Sequence, residues 1–266
     1  MKKLLFIALF AFVFTNINAQ FYSGLSFGYG IDANKSALGT ETSDDGAETQ
    51  LYGSFGEGFN ITGKFGYMLT EHVGLELGVN YLIGATQTLY KANGNLKEGY
   101  SNALVMIPQL VLKTKVGLYS RLGFVVPVVG KTTITTSYDK SWYSSSRYTE
   151  EEFHGSFTLG FAATLGYSLN LSDKLSIFGE VQYQGLSVVN GSSEYTTYEV
   201  GGENKLNDMD TYDIETEYVE TLDDNSNNDN YNPNYDKDSA KEELAGTTPF
   251  SSLVFSIGIV YTFKKK

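Results

Sequence analysis

The 266-residue sequence has no cysteine, only four prolines, two histidines and a single tryptophan. Without cysteine it can form no disulfide, build no thiolate metal site and carry no lipoprotein acyl group. Four prolines leave few forced breaks in backbone pairing. A long hydrophobic run is also missing: the stretch from Leu4 to Phe14 is eleven residues, against the roughly 20 that a helix needs to cross a bilayer. That stretch follows Lys2 and Lys3 and leads into small and polar residues ending at Ala19. The layout predicts a secretory signal peptide over residues 1–19, leaving 20–266 as one exported domain.

Basic residues are scarce as well. Lysine and arginine number 19 against 31 aspartates and glutamates, a net charge of −12. Residues 190–249 hold 16 acidic residues and three lysines, or −13, so nearly the whole excess sits in one segment. Nothing here suits a nucleic-acid binder.

What the sequence does have is 28 glycines, 20 tyrosines and 17 phenylalanines, and a repeating period of two. In "FTLGFAATLGYSL", Phe157, Leu159, Phe161, Ala163, Leu165, Tyr167 and Leu169 alternate with small or hydroxylated residues that carry no charge. Such alternation marks a strand. The same test finds "FYSGLSFGYGI", "FNITGKFGYML", "VGLELGVNYLIGA", "ALVMIPQLVLK", "LYSRLGFVVPVV", a strand from Leu175 to about Tyr183, and "FSSLVFSIGIVYTF". That makes eight. Their connections alternate: short near residues 70–72, 114–116 and 170–174, long over about 32–56, 90–102, 131–154 and 190–249.

Short turns at one rim and long loops at the other predict an all-β, eight-stranded antiparallel up-and-down transmembrane β-barrel. The short turns are periplasmic and the long loops extracellular, with 190–249 the acidic one. The expected location is the outer membrane of a Gram-negative-type envelope, in contact with lipid and lipopolysaccharide. The bulky face meets hydrocarbon and the small face lines a narrow bore. A soluble β-sandwich or lipocalin-like barrel would carry lysines and glutamates on its outward face, and these strands have almost none. Aromatic girdles are expected from Phe21, Tyr67, Tyr119, Tyr167, Tyr261 and Phe263 at one edge, and from Tyr29, Phe59, Tyr81, Tyr183 and Phe250 at the other.

On "IPQLVLK", "LYSRLGFVVPVV" and "SIFGEVQYQGL", the chain resembles the outer-membrane β-barrel domain family described as porin-family or PorT-like, over about residues 20–263. The resemblance implies an eight-stranded barrel and says little of role. Two features depart from the family pattern: the closing "YTFKKK" and the length of the 190–249 loop.

Four charges fall on the inward face: Lys64, Glu76, Arg121 and Glu180. Each is three to five residues from a short turn, which predicts one salt-bridged layer, since unpaired charge in a narrow bore is costly. Gln109, Gln182 and Gln184 extend its hydrogen bonding. An eight-stranded barrel has room for little besides its own side chains, so the bore is expected to be filled.

Other chemistry reads more weakly. His154 and Ser156 suggest acyl hydrolysis, but the parity of strand six turns both inward and the only acid assigned to that face nearby is Glu180 near the other rim. "VVGKTTI" lacks the glycine spacing and the following helix of a phosphate-binding loop. In the acidic loop, Asp223, Asp224, Asn225, Asn227 and Asp229 offer oxygen ligands for calcium, though Asn228 and Asn234 stand where an EF-hand needs glycine and glutamate. No other cofactor is expected. "TYDIETEY" predicts a ribbon above the membrane, and tyrosines among acids suit a protein-contact surface. The sequence therefore points to a non-enzymatic barrel with a filled lumen. Its expected role is structural or binding, or that of an accessory subunit that meets other outer-membrane or cell-surface proteins through the acidic loop. The alternatives are a narrow porin-like channel and a lipid A-modifying acyl hydrolase.

Overall fold

The computed structural model describes residues 20–139 and 145–263; the expected signal peptide lies outside them. Eight strands form the barrel: β1 (Gln20–Asp32), β2 (Gly58–Met68), β3 (Val73–Gly84), β4 (Asn95–Lys113), β5 (Leu118–Tyr138), β6 (Gly160–Asn170), β7 (Leu175–Gly185) and β8 (Ser252–Thr262). Each pairs antiparallel with its neighbours, and β8 closes on β1 with Leu25 opposite Ile259. Closure joins the first and last strands and leaves no free terminal strand, which is the condition for strands to survive in hydrocarbon.

The alternation sorts the two faces. Outward lie Phe27, Phe65, Leu122, Leu165 and Ile257, the last 73% exposed. Inward lie Ser26, Asn80, Thr164 and Gln182, all buried. A closed barrel with an exposed apolar belt and a polar interior is a membrane-spanning barrel. The rims carry directly opposed aromatic pairs, Phe21 with Tyr67 (4.6 Å) and Tyr29 with Phe59 (5.0 Å). Two expected girdle members belong elsewhere. Tyr119 is buried and points into the bore, and Phe250 packs on Phe55 at 6.0 Å inside the mouth.

The short turns occupy residues 69–72, 114–117 and 171–174, closed by bonds such as Leu69 N to Val73 O (2.8 Å). The long connections are largely paired strand rather than loop. Residues 87–99 form a hairpin, Gln87–Ala92 against the start of β4, turning at Asn93 and Gly94 with φ of 49° and 80°. Both left-handed residues match a two-residue hairpin turn, which Asn-Gly favours. β5 continues to Tyr138 and pairs with Arg147–Gly155, which in turn pairs with Ser187–Val200. Within "TYDIETEY", Thr211–Ile214 is one helical turn and only Glu215–Val219 is strand. β6 begins at Gly160 rather than Phe157, and residues 156–159 are not strand.

Inside the bore, large rings lie against glycines. A Cβ on Gly66 would sit 1.9 Å from the Tyr22 ring, one on Gly166 2.3 Å from the Tyr119 ring, and one on Gly258 2.6 Å from the Phe178 ring. Gly166→Ala should therefore displace Tyr119 and lower stability by about 1–3 kcal/mol, the usual cost of overpacking. Urea unfolding in detergent micelles measures this, and a loss under about 0.5 kcal/mol would show that the ring has space to move.

Candidate functional site

The bore is divided at mid-height. Toward the short-turn rim, the structure brings Lys64, Glu76, Arg121 and Glu180 into one buried layer. β2 and β3 place Lys64 opposite Gly78 and Gly66 opposite Glu76, so these two charges are diagonal neighbours on adjacent strands. They nevertheless do not pair with each other. Lys64 crosses the bore to Glu180 Oε1, and Arg121 Nη1 meets Glu180 Oε2 at 2.6 Å. Arg121 Nε lies 3.2 Å from Glu76 Oε1, near enough for an ion pair but not aligned for a hydrogen bond.

Two tyrosines complete the layer. Tyr22 donates its hydroxyl to Glu76 Oε2 and Tyr119 donates to Glu180 Oε2, both at 2.7 Å. Gln109 Nε2 donates to Glu76 Oε1 at 2.9 Å. Each cation also faces a ring: Lys64 Nζ is 4.3 Å from the centre of Phe178, and Arg121 Cζ is 4.5 Å from that of Tyr119. Two positive and two negative groups cancel, and each carboxylate oxygen has a donor or a cation beside it. Gln182 and Gln184 lie higher and bond Thr164 and each other instead. The arrangement closes the bore with side chains.

Above this layer Val105, Ile107, Val125, Ala162 and Leu186 form an apolar floor. Over the floor is a cavity of about 440 Å³, lined by Asn60, Asn80, Leu82, Ser101, Gln184 and Phe250 among others. That volume falls within the range of small-molecule sites. Its side wall has a break. β5 pairs with β6 as far as Val125 opposite Gly160, and pairing resumes at Thr132 opposite Phe153. Between these points Val128, Val129 and Phe157 line the cavity, and Phe157 is 82% exposed. The upper half of the bore therefore opens through the wall.

The acidic segment is folded. Asn227 holds it together: its Nδ2 donates to the carbonyls of Asp236, Ser239 and Ala240, and its Oδ1 accepts from Asp236 N. Asp223 Oδ1 accepts from Asn225 N, Asp224 Oδ1 from Asn225 Nδ2, and Asp229 Oδ1 from the Tyr212 hydroxyl. The carboxylates of Asp223, Asp224 and Asp229 form no three-ligand cluster in the structure. Where this segment packs on the ribbon below, burial pushes the Tyr195 hydroxyl up to about 12 and also raises the Glu151 carboxyl, which accepts from Ser193 at 2.7 Å.

His154 is exposed at the edge of the cavity rather than enclosed in the bore. Phe153 stacks toward Tyr218 inside the cap (6.3 Å), so His154 takes the opposite, exposed face. The parity fails because residues 156–159 leave the strand, so counting back from β6 misassigns Arg147–Gly155. Its acidic neighbours are Glu152 and Glu194 rather than Glu180, and no hydrogen bond joins it to Ser156. Tyr22 and Tyr119 join the charge layer without being expected there from the sequence. The signal was present for Tyr119, because Arg121 two residues later shares its parity.

No protein-family model matches the chain, and no curated relative matches. Several solved structures are similar in outline. Neisserial surface protein A is 11% identical at a TM-score of 0.35, over 92% of this chain and 99% of its own. Outer membrane protein OprG from Pseudomonas aeruginosa is 12% identical at 0.44, over 94% and 98%. Outer membrane protein AlkL is 13% identical at 0.40, over 93% and 91%. The barrel assignment stands on its own strand ladder and apolar belt.

Removing one member of the charge layer should leave a buried, uncompensated charge. Arg121→Met is expected to cost about 3–5 kcal/mol, whereas the paired change Lys64→Met with Glu180→Leu costs less than the sum of its two single changes. Denaturant unfolding of the four proteins reads the difference, and strict additivity would contradict a coupled layer.

Proposed function

We infer that this is an outer-membrane barrel that binds rather than conducts, with no catalytic role. The observation that carries this is the division of the bore: a neutral, hydrogen-bonded layer shuts its lower half, and a cavity with a side opening occupies its upper half. Shut below and open above, the barrel suits retention of a small molecule better than its passage. The lining joins amide groups (Asn60, Asn80, Gln184) to apolar ones (Leu82, Leu186, Phe250), which favours a ligand of mixed character. Short turns place the plugged end toward the periplasm and the cavity toward the cell exterior.

A second reading concerns the cap, and its folding supports it. Held by Asn227 and its neighbours, the 190–249 segment presents exposed carboxylates and Tyr231 in fixed positions. Such a surface fits an accessory subunit that docks another outer-membrane or cell-surface protein.

Planar-bilayer recording tests the non-conducting reading: the purified protein should give no steady single-channel steps. Regular conductance from the unmodified chain would sink it. A fluorescent medium-chain fatty acid should bind the detergent-solubilised protein, and Leu186→Trp, which fills the cavity floor, should weaken binding at least tenfold. Unchanged affinity in that variant would place the ligand elsewhere.

A further inference from the structure

At the edge of the cavity, which His154 and Lys131 help line, one group of side chains has the composition and placement of a metal site. Glu152 and His154 lie two residues apart on Arg147–Gly155 and share one face. Glu194, on Ser187–Val200, is directly opposite Glu152 in the antiparallel register. One ligand atom from each of the three lies within 4.8 Å of the others. Paired strands position them, so little backbone order has to be created on binding.

Two carboxylates facing each other across a ladder repel, and such pairs are destabilising. The fold answers this with a cation from the next strand. Lys131 of β5, the residue just before the Thr132–Phe153 pair, reaches Glu152 Oε1 at 2.5 Å. One ammonium against two carboxylates leaves the cluster with a net charge of −1. We propose that Glu152, His154 and Glu194 bind a divalent transition-metal ion of the zinc type, and that Lys131 occupies its place in the metal-free protein.

The donor set decides the class of ion. An imidazole with two carboxylates suits zinc, copper or nickel, whereas calcium and magnesium take oxygen ligands throughout. Three protein ligands leave a fourth tetrahedral position for water. Zinc bonds of about 2 Å imply ligand separations of about 3.3 Å, so the carboxylates must close in by side-chain rotation. Lys131 is half exposed at its side chain; it can swing into solvent when the metal enters, because an ion pair so near the surface contributes little net stability. Bound metal would tie Arg147–Gly155 to Ser187–Val200 and so fasten the acidic cap to the barrel mouth.

The test uses the full mature chain without a histidine tag, folded in detergent and titrated with zinc chloride by calorimetry. One equivalent should bind, calcium in tenfold excess should not displace it, and His154→Ala should weaken binding at least tenfold. Lys131→Gln removes the competing cation and should tighten binding severalfold. His72→Ala, at the opposite rim, should change nothing, and the heat-dependent gel shift of folded barrels verifies each variant. The proposal is overturned if neither the unmodified chain nor Lys131→Gln binds zinc. It is equally overturned if binding survives His154→Ala but is lost with His72→Ala.

Discussion

A backbone amide in hydrocarbon has no water to turn to, and each unsatisfied group there costs several kcal/mol. That penalty forces β8 onto β1 and fixes what the bore can contain. Once the wall closes, the interior of an eight-stranded barrel is narrow and poorly hydrated. Any charge placed inside must find its opposite there. Lys64, Glu76, Arg121 and Glu180 do so with no net charge left over, and Tyr22 and Tyr119 donate to the carboxylate oxygens that the cations do not fully satisfy. Removing charges from water costs several kcal/mol per ion, which only such a complete set offsets. The plug is thus a consequence of closure.

Closure also explains the composition. Rings as large as those of Tyr22, Tyr119 and Phe178 fit a small bore only where facing positions carry no side chain. Gly66, Gly166 and Gly258 supply those positions. Glycine weakens an isolated strand, but here each one lets a ring reach the charge layer, and the Tyr22 and Tyr119 rings bring their hydroxyls with them. Abundant glycine and abundant tyrosine are two sides of one packing solution.

Much of this was legible in the sequence, because a period of two is a strong signal when neither face carries unexplained charge. The eight strands, the short turns and the four interior charges all follow from it. The parts that were not legible share a cause, which is broken parity. Val128 is an extra residue in β5: Leu104 pairs with Val129 and Val105 with Pro127. One such bulge exchanges inside and outside for everything above it, so Thr132 is buried although Arg121 is buried too. The break at residues 156–159 does the same to His154. Asn93-Gly94, in contrast, carried a hairpin signal that loop length alone obscured. Tyr119 was assigned to a girdle by residue type when the parity of Arg121 already turned it inward.

The acidic cap poses a different problem, because a segment with a net charge of −13 should resist compaction. It folds because amides rather than carboxylates make its central contacts. Asn227 bonds four backbone groups and Asn228 donates to Glu242 O at 2.7 Å, and both lie inside the segment while Asp223, Asp224, Asp229 and Asp238 lie at its surface. Asparagine gives the same hydrogen-bonding reach as aspartate without adding charge to a region that already has too much. The asparagine-rich run that resembles a cation-binding loop is, in its central residues, a neutral scaffold that lets the surrounding acids stay in water. Charge in this protein is therefore handled in two ways: cancelled where water is excluded, and held at the surface where it is not.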